Sequence, residues 1–426
     1  MVDQLIGRTD GDGFVTTHNS AGQLSNRRLV PFLIGTALGN AGDIFTQIAV
    51  FWTGLSITGT ALSVAGLGGI WTIGSAIAGL VSGPIVDRFN RRNILVVAHL
   101  LLSVLCFVVF AFSVSGALQM WHLWVFLIGE SILGTPVSAA FNSLLPDIVP
   151  KDRLVRVYGL LSSWGMGDNL IEAFFSGAVL ALWGPAPIFL FNGVMYVVGA
   201  AAALCVPERA GSPQSRFMMD RWRPLEEFRF ALRYVYRERI LRRVLALSFL
   251  SSLVFAPLFF IAPIVVDAMG KGPAYYSYFQ TLTLVGVLSG SLIASSVGAN
   301  WPKVPMWVGG TTLFALSFLA LGIHLTPATA LVVFFLFGLG VSGGRVYGQT
   351  LLQQVLPSSV RGRVNGIREF LGGVLQPASL AIAMLLVDRT GVQGVLIGLA
   401  LLMLAVAVSY VLLLPLRERQ WVLSDV

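Results

Sequence analysis

The sequence predicts an all-α membrane protein with twelve transmembrane helices in two pseudo-symmetric six-helix bundles. Three observations support this fold class: the composition of the chain, the spacing of its apolar segments and an internal repeat. Of the 426 residues, 56% are hydrophobic and 11% are charged, whereas soluble proteins carry roughly 25% charged residues. Too few polar side chains remain to cover soluble domains of this total length, so apolar surface must face lipid.

The apolar segments are long enough to cross a bilayer. A helix needs roughly 20 apolar residues to span about 30 Å of hydrocarbon. The first 28 residues are polar, with no removable signal sequence expected. Six predicted spans then follow at 29–52, 61–86, 94–116, 119–142, 155–181 and 186–206. After a charged stretch, six more are predicted at 244–267, 274–298, 304–324, 328–350, 362–387 and 392–415.

A sequence repeat relates the two sets of spans. Residues 144–160 align without gaps with residues 351–367 at an offset of 207 residues, with six identities in 17 positions. Each copy lies between the fourth and fifth predicted spans of its set, and transporters are often built from two related halves. The expected organisation is a disordered cytoplasmic segment 1–28, a first bundle 29–206, a linker 207–243, a second bundle 244–415 and a cytoplasmic tail 416–426.

Lysine and arginine are distributed unevenly between the two sides of the predicted spans. With both termini inside, 25 of the 28 fall on the inner side, Lys271 and Arg389 fall outside, and Arg345 is left within a span. Because cytoplasmic loops carry the positive charge of membrane proteins, we predict that both termini are cytoplasmic. Contact with anionic lipid accounts for the net charge of +8 without nucleic-acid binding.

The linker 207–243 is the only long polar segment between the spans. After Pro224, apolar residues recur at spacings of 3, 4 and 3 opposite three arginines, which predicts an amphipathic helix on the inner membrane surface. The apolar residues are Leu225, Phe228, Leu232 and Val235, and the arginines are Arg229, Arg233 and Arg237. Such a helix either only tethers the two halves or also has a regulatory role.

Sequence patterns typical of enzymes, metal sites and cofactor sites are not found. A phosphate-binding P-loop needs a lysine followed by serine or threonine, but the three lysines are followed by Asp, Gly and Val. The four histidines form no His-Glu-x-x-His motif. Cys106 and Cys205 lie singly in apolar runs, without the spacing of a metal site. We therefore predict no enzyme, no cofactor and no metal.

The loop after the second predicted span carries a family motif. Residues 83–92, GPIVDRFNRR, resemble the G-x-x-x-D-R-x-x-R-R signature of the major facilitator superfamily. The segments LLPDIVP, FALRYVYRERILRR and RGRVNGI further resemble its bacterial branch of macrolide-efflux and enterobactin-export proteins. The resemblance covers 29–415 and implies two six-helix bundles around a central cavity in the bacterial cytoplasmic membrane. It also implies alternating access and, in this branch, proton-coupled export.

The same loop is a candidate inner gate. The carboxylate of Asp87 could accept hydrogen bonds from a helix N-terminus or a loop arginine and hold the inner side shut. The resemblance implies the start of the eleventh span and Arg156 as its partners. If the loop only marked the cytoplasmic side through its positive charge, the arginines would be explained but Asp87 would not. The candidate gate residues are Gly83, Asp87, Arg88, Arg91, Arg92 and Arg156.

Four acidic residues lie inside predicted spans, all in the first half: Asp43, Glu130, Asp168 and Glu172. Burying each costs at least about 2.5 to 3.5 kcal/mol on insertion scales, so we interpret them as proton-coupling or substrate-binding residues. Asp168 and Glu172 are four residues apart and would repel each other if both were ionised, so one should hold a proton. Each acid could instead be a packing acceptor, and Glu130 could hold a cationic substrate.

Other polar residues within spans have simpler interpretations. Arg345 and Glu369 are expected to form a structural ion pair near the inner ends of the tenth and eleventh spans. His99, His122 and His324 lack metal-ligand spacing, and we interpret them as interfacial or solvated rather than as a proton relay.

These observations together favour a secondary transporter. The resemblance implies proton-coupled export of amphipathic or cationic organic compounds by alternating access. The alternatives are a carrier for a specific solute, such as a siderophore, a lipid or a metal ion, and a receptor or scaffold that transports nothing. The expected partners are a small-molecule substrate, protons and the lipid bilayer, and the chain is expected to be a monomer.

Overall fold

The computed structural model describes residues 26–150, 153–207, 236, 239–296, 301–355 and 358–413. Regular secondary structure in these ranges is entirely helical. The helices of the first part, named here the N group, are α1 Asn26–Gly39, α2 Asp43–Thr58, α3 Ala61–Arg88, α4 Arg91–Val114, α5 Met120–Ile148, α6 Leu154–Trp183 and α7 Ala186–Ala203. Those of the second part, the C group, are α8 Arg239–Phe260, α9 Ala262–Ala268, α10 Pro273–Ser296, α11 Lys303–Ile323, α12 Pro327–Val355 and α13 Ser358–Leu413.

The amphipathic helix expected in the linker lies outside the described residues, as do 1–25 and 414–426. The first helix begins at Asn26, inside the segment 1–28 that was expected to precede the spans. Within the described ranges, ten helical stretches are long and apolar enough to cross a membrane. The chain is therefore a multi-pass membrane protein.

Two features explain why this number differs from the twelve predicted spans. Helix α6 has 30 residues but is not among the ten, and it carries the two acids Asp168 and Glu172. The stretch Leu371–Leu413 counts once although it has 43 residues, about twice the length that one crossing needs. It contains Gly391, whose φ of 72° breaks the helical path of α13.

The first predicted span lies within the candidate span Arg27–Thr58, but its helix is interrupted. It is divided into α1 and α2 by residues 40–42, and Gly42 adopts a left-handed conformation with φ of 107°. Such a backbone angle favours glycine, which has no Cβ. The span 244–267 is divided in the same way into α8 and α9 at Ile261, with Pro263 in the first turn of α9, where its missing N–H is tolerated.

Helices α5 and α12 occupy equivalent places in the two groups. Each has 29 residues, and both their first and their last residues differ by 207, the offset of the sequence repeat. Within the N group, α4 packs on α5 and α7, and α3 packs on α5. Within the C group, α12 packs on α10 and α11, and α13 packs on α8 and α11. The largest contacts between the groups are α3 with α13 and α6 with α10.

The turns define two ends of the bundle. The basic end contains the turn between α3 and α4, the end of α5 and the start of α8. There Arg91 forms an ion pair with Asp147, and Nη1 of Arg243 donates a hydrogen bond to the Leu413 carbonyl oxygen at 3.2 Å. The opposite end contains the turns that follow α2, α4, α6, α9 and α11. Because successive turns lie at alternate ends, consecutive membrane-crossing segments run antiparallel.

The outer surface suits a lipid environment. On α4 the exposed apolar residues Val97, Leu101, Val104 and Val108 recur at helical spacing, so they form one stripe along the helix. A continuous apolar surface of this kind is disfavoured in water. The buried core extends across both groups, as shown by Phe51 of α2 and Phe260 of α8, whose ring centroids lie 5.1 Å apart.

Candidate functional site

The break between α1 and α2 is stabilised by an acid from another helix. Glu172 of α6 is 2% exposed, and its carboxylate accepts hydrogen bonds from the backbone N–H groups of Gly42, Ile44 at 2.9 Å and Phe45 at 3.1 Å. The first turn of any helix leaves such N–H groups without intrahelical partners. They also form the positive end of the helix dipole, so a carboxylate is well placed there. Glu172 therefore caps α2 inside the bundle.

Asp168 lies one helical turn before Glu172 on the same helix and is partly buried. It is close enough to interact electrostatically with both Glu172 and Asp43. The structure thus brings three of the four predicted acids together near the break in the first span.

Asp43 and Glu130 line a common cavity of about 270 Å³ within the N group, named here the acidic pocket. The hydroxyl of Tyr196 donates to Asp43 Oδ1 at 2.8 Å. Trp71 lines the same pocket as Glu130. The other lining residues are Asn40, Ser75, His99, Leu102, Ser131, Gly134, Thr135, Val137 and Ser138. Among the described residues that line this pocket there is no lysine or arginine beside the two carboxylates.

The interpretation of His99 as an interfacial or solvated residue is wrong. Its side chain is 1% exposed and lines the acidic pocket. Its Nδ1 lies 2.8 Å from the Leu95 carbonyl oxygen, which assigns the hydrogen to Nδ1 and leaves Nε2 as an acceptor. Within the described ranges Nε2 has no hydrogen-bond partner.

Sequence reasoning also missed Trp71, Tyr196 and Asn192, because a single polar or aromatic residue in an apolar span gives no local pattern that indicates what it contacts. Asn192, one turn before Tyr196, donates through Nδ2 to Thr46 Oγ1 at 2.7 Å. The helical face of α4 carried a usable signal for His99. It shares the buried face with Leu95 and Leu102, three to four residues away on either side, and not the lipid-facing stripe.

A second cavity of about 810 Å³ lies between the C group and α3 and is named here the neutral cavity. Its wall carries hydroxyl and amide groups from Ser248, Ser251, Ser252, Thr311, Gln349, Gln376 and Tyr410, and aromatic rings from Phe255, Trp307 and Phe314. Ser251 Oγ and the Tyr410 hydroxyl are hydrogen-bonded at 2.7 Å. The side chains that line this cavity in the described part of the chain are uncharged. Ser75 of α3 lines both cavities.

The candidate inner-gate residues lie at the basic end. Gly83 is inside α3, which continues to Arg88. Arg91 is bound to Asp147 and donates to the Ser143 carbonyl at 3.3 Å, so its partner belongs to α5 of the same group. Arg92 lies in the first turn of α4, where its backbone N–H donates to the Asn90 side chain at 3.0 Å, and Arg156 lies exposed on α6.

Three predicted residues have side chains outside the described part of the chain. They are Asp87 of the gate and the expected pair Arg345 and Glu369, whose backbones lie in α3, α12 and α13. Their predicted contacts therefore stay predictions. Within the described part of the chain, no atom lies within 4 Å of a Cβ placed on Gly83.

No cluster of three or more His, Cys, Asp or Glu among the described residues is arranged to hold a metal ion. The candidate site consists of Asp43 and Glu130 in the acidic pocket, Glu172 at the N-terminus of α2 and the larger neutral cavity, which shares Ser75 with the acidic pocket. Apolar helices that cross a membrane around such polar cavities define a membrane transport protein. The comparisons below identify which family of transporters this is.

The chain belongs to the Major Facilitator Superfamily, whose family model matches residues 32–297 and 244–422. The resemblance inferred from residues 83–92 is thereby confirmed, and the chain is a transporter and not an enzyme.

Curated relatives include Macrolide efflux protein A of Streptococcus pyogenes, 22% identical over 84% of this chain and 89% of the relative. The multi-drug resistance efflux pump PmrA of Streptococcus pneumoniae is 26% identical over 82% of this chain and 83% of the pump. The multidrug efflux pump Tap of Mycolicibacterium fortuitum is 24% identical over 92% of this chain and 96% of the pump.

Solved structures show the same fold at low sequence identity. The nucleoside transporter NupG superposes with a TM-score of 0.72 at 11% identity, covering 92% of this chain and all of NupG. A bacterial homologue of the iron transporter ferroportin, in its inward-facing state, gives a TM-score of 0.69 at 18% identity, covering 91% of this chain and 99% of the homologue. At these identities the likeness concerns the fold alone.

Proposed function

We propose that this protein is a proton-coupled exporter of amphipathic or cationic organic compounds in the bacterial cytoplasmic membrane. The observation that carries the proposal is the acidic pocket, in which Asp43 and Glu130 share one cavity and no described lysine or arginine lies in the wall. Two carboxylates in such a place need protons or a cationic ligand to balance their charge. The relatives named as macrolide and multidrug efflux pumps support the direction and the substrate class.

Twelve membrane crossings with both termini cytoplasmic are part of this proposal. The stretch Leu371–Leu413 is broken at Gly391 and is long enough to provide two crossings, and α6 provides the remaining one. This assignment gives six crossings to each group. It also places the basic end in the cytoplasm, as the distribution of lysine and arginine predicts. The protein is proposed to act as a monomer.

Alternating access is supported by the contacts between the groups. At the opposite end, Ser277 of α10 is hydrogen-bonded to Ser176 Oγ at 2.8 Å and to the Gly177 backbone N–H at 2.8 Å. Trp52 of α2 stacks on Tyr276 of α10 with ring centroids 6.3 Å apart. These contacts close the opposite end, whereas at the basic end no described residue lies within 4 Å of a Cβ placed on Gly83. We assign this arrangement to a state that opens toward the cytoplasm.

In this proposal the four acids have different roles. Asp43 and Glu130 bind the coupling proton or the cationic group of the substrate, because both face the acidic pocket. Glu172 links the occupancy of the pocket to the break in the first span, since it caps the first turn of α2, where Asp43 is the first residue. Asp168 adds negative charge beside this cap.

The test is transport by the purified protein in proteoliposomes with an imposed pH gradient, together with substrate-induced proton release in detergent. We expect Asp43→Asn and Glu130→Gln to abolish gradient-driven transport, because an amide cannot carry a proton. The matched control is Asp388→Asn, which changes an exposed acid at the opposite end and should leave transport unchanged. Equal proton release from the wild type and both pocket variants would contradict the proposal.

A further inference from the structure

We infer that His99 transfers protons between the two carboxylates of the acidic pocket and the basic end of the bundle, with Nε2 as the atom that takes up and releases the proton. This inference rests on the proposed function, because a coupling proton must leave the pocket in every transport cycle. It is carried by the buried imidazole itself, by the depth of His99 in the bundle and by the hydroxyl groups between His99 and Glu130.

The imidazole of His99 is buried with one nitrogen left over. Its side chain is 1% exposed, and its Nδ1 donates to the Leu95 carbonyl oxygen at 2.8 Å, so the free lone pair lies on Nε2. Nε2 has no hydrogen-bond partner among the described residues, and a buried polar atom of this kind calls for an explanation, such as a role in chemistry or a bound water. Glycine at 199 leaves room for this nitrogen, since a Cβ on Gly199 of α7 would lie 3.1 Å from Nε2.

His99 lies on the basic side of Glu130. The ion pair between Arg91 and Asp147 places these two residues at a common level at the basic end. His99 is eight residues from Arg91 along α4, and Glu130 is seventeen residues from Asp147 along α5. At a rise of 1.5 Å per residue, His99 is about 12 Å and Glu130 about 26 Å from that level. Because both line the acidic pocket, the pocket extends from the acids toward the basic end and reaches His99.

Hydroxyl groups of α5 cover the depth between the two residues. Ser131, Thr135 and Ser138 line the pocket and are spaced four and three residues apart, so they share one helical face. Ser131 and Thr135 donate to carbonyl oxygens of their own helix at 3.0 Å and 2.8 Å, which leaves lone pairs that can accept from water. The pocket volume of about 270 Å³ accommodates several waters of about 30 Å³ each. Water hydrogen-bonded along this face connects the acids with His99.

The transfer balances without any further reactant. The titratable groups that line the pocket beside His99 are Asp43 of α2, Glu130 of α5 and Tyr196 of α7, and the described lining residues of α1 and α3 do not titrate. A proton leaves the carboxyl O–H of Asp43 or Glu130 and forms an N–H bond at Nε2, so the carboxyl becomes an anion and the imidazole a cation. Release of this proton toward the basic end restores the neutral imidazole. Nδ1 keeps its hydrogen for the Leu95 carbonyl throughout, so the ring returns to the same tautomer.

A light-triggered pH jump on the full chain in lipid nanodiscs, followed by time-resolved infrared spectroscopy, tests this inference without any substrate. The infrared band of protonated carboxyl groups reports the two acids, and its decrease in Asp43→Asn and Glu130→Gln assigns it. We expect His99→Asn to slow protonation of these acids at least tenfold, because a positioned acid–base group contributes about 10² to 10⁴-fold to proton transfer. The final extent of protonation should remain, because both carboxyl groups are still present.

The matched control is His122→Asn. His122 is also a buried histidine whose Nε2 has no partner among the described residues, but it lies in the first turn of α5 at the opposite end and does not line the pocket. This variant should protonate at the rate of the wild type. If His99→Asn does not fold, His99→Gln provides the same comparison, since its amide also cannot take up a proton.

Three results would overturn the inference. The first is an unchanged rate in the His99 variants, which would leave the proposed function standing. The second is an equal slowing in His122→Asn, which would show a general effect of the substitution on the bundle. The third is a wild type in which Asp43 and Glu130 show no change of protonation at all. Only this third result would also overturn the proposed proton coupling.

Discussion

In α5 of the N group, Glu130 lines the acidic pocket, whereas the residue 207 positions later in α12 of the C group is Phe337, 2% exposed. Phe337 packs in an aromatic cluster, with ring centroids 5.0 Å from Phe314 and 5.1 Å from Phe318. The two helices have the same length and equivalent bounds. Equivalent backbones in the two groups therefore carry a partly buried acid that lines a cavity in one case and a packed hydrophobic core in the other.

The other acids follow the same pattern. The residue 207 positions after Glu172 is Ser379, and the residue 207 positions after Asp43 is Leu250. Ser379 donates to the Gln376 carbonyl of its own helix at 2.8 Å and so caps no other helix. In these three comparisons an acid of the N group corresponds to an uncharged residue of the C group, as expected if the proposed proton-binding groups belong to the N group.

The largest expected effect comes from fixing the two groups to each other. In a background without Cys106 and Cys205, Ser176→Cys with Ser277→Cys should form a disulfide across the groups, because the two Oγ atoms are 2.8 Å apart. Oxidation should abolish transport, and reduction should restore it, since the groups must separate at the opposite end.

The matched control joins two helices of one group. Ser291 of α10 and Ser342 of α12 have Oγ atoms 2.9 Å apart, so the same two substitutions there should give a similar disulfide inside the C group. Transport should persist after oxidation if each group moves as a unit. Loss of transport in the control, or its persistence in the cross-linked pair, would contradict the proposed motion.

The next effect concerns stability and compares Glu172 with Ser379. Glu172→Ala removes the acceptor of three backbone N–H groups, and we expect it to lower the free energy of unfolding by about 3 kcal/mol. Glu172→Gln keeps an acceptor oxygen and should cost about 1 kcal/mol through loss of charge at the helix N-terminus. Ser379→Ala, the control, should cost less than about 1 kcal/mol.

Unfolding by increasing SDS in mixed micelles measures these differences. Equal stability of the wild type and Glu172→Ala would show that water can replace the Glu172 carboxylate as the acceptor of these backbone N–H groups. In that case the assignment of Glu172 as the residue that stabilises the break would be wrong.

A smaller effect concerns two glycines at the two ends. A Cβ on Gly177 would lie 2.6 Å from the Pro273 carbonyl oxygen and from Ala274 Cα, so Gly177→Val should weaken closure of the opposite end. Gly83→Val meets nothing in this state and should instead weaken closure of the basic end. Each variant should shift the population of states by about tenfold, or 1.4 kcal/mol, in opposite directions. Distances between spin labels at the two ends measure the shift, and the same direction in both variants would contradict the gate assignment.

Sequence reasoning could predict the helical class, the family and the acids, because these depend on local composition and on one short motif. It could not predict the break at 40–42, since its cap, Glu172, is 128 residues away from Ile44 in the chain. The same limit applies to His99 and Ser75, whose importance comes from the cavities that they line. Arg91 was assigned to the gate, but its partner Asp147 belongs to its own group.

The smallest expected effect concerns the ion pair between Arg91 and Asp147. The C group has Gln354 at the position 207 residues after Asp147, so the ion pair with Arg91 is a feature of the N group. The two side chains are 12% and 25% exposed, and partly solvated pairs contribute about 1 kcal/mol or less. Asp147→Asn keeps an acceptor for Arg91, which also binds the Ser143 carbonyl. We therefore expect about 1 kcal/mol of lost stability in the SDS titration and a transport rate within about twofold of the wild type. If transport is instead lost while stability is unchanged, Arg91 acts in the gate through Asp147, and the pair does more than hold α4 against α5.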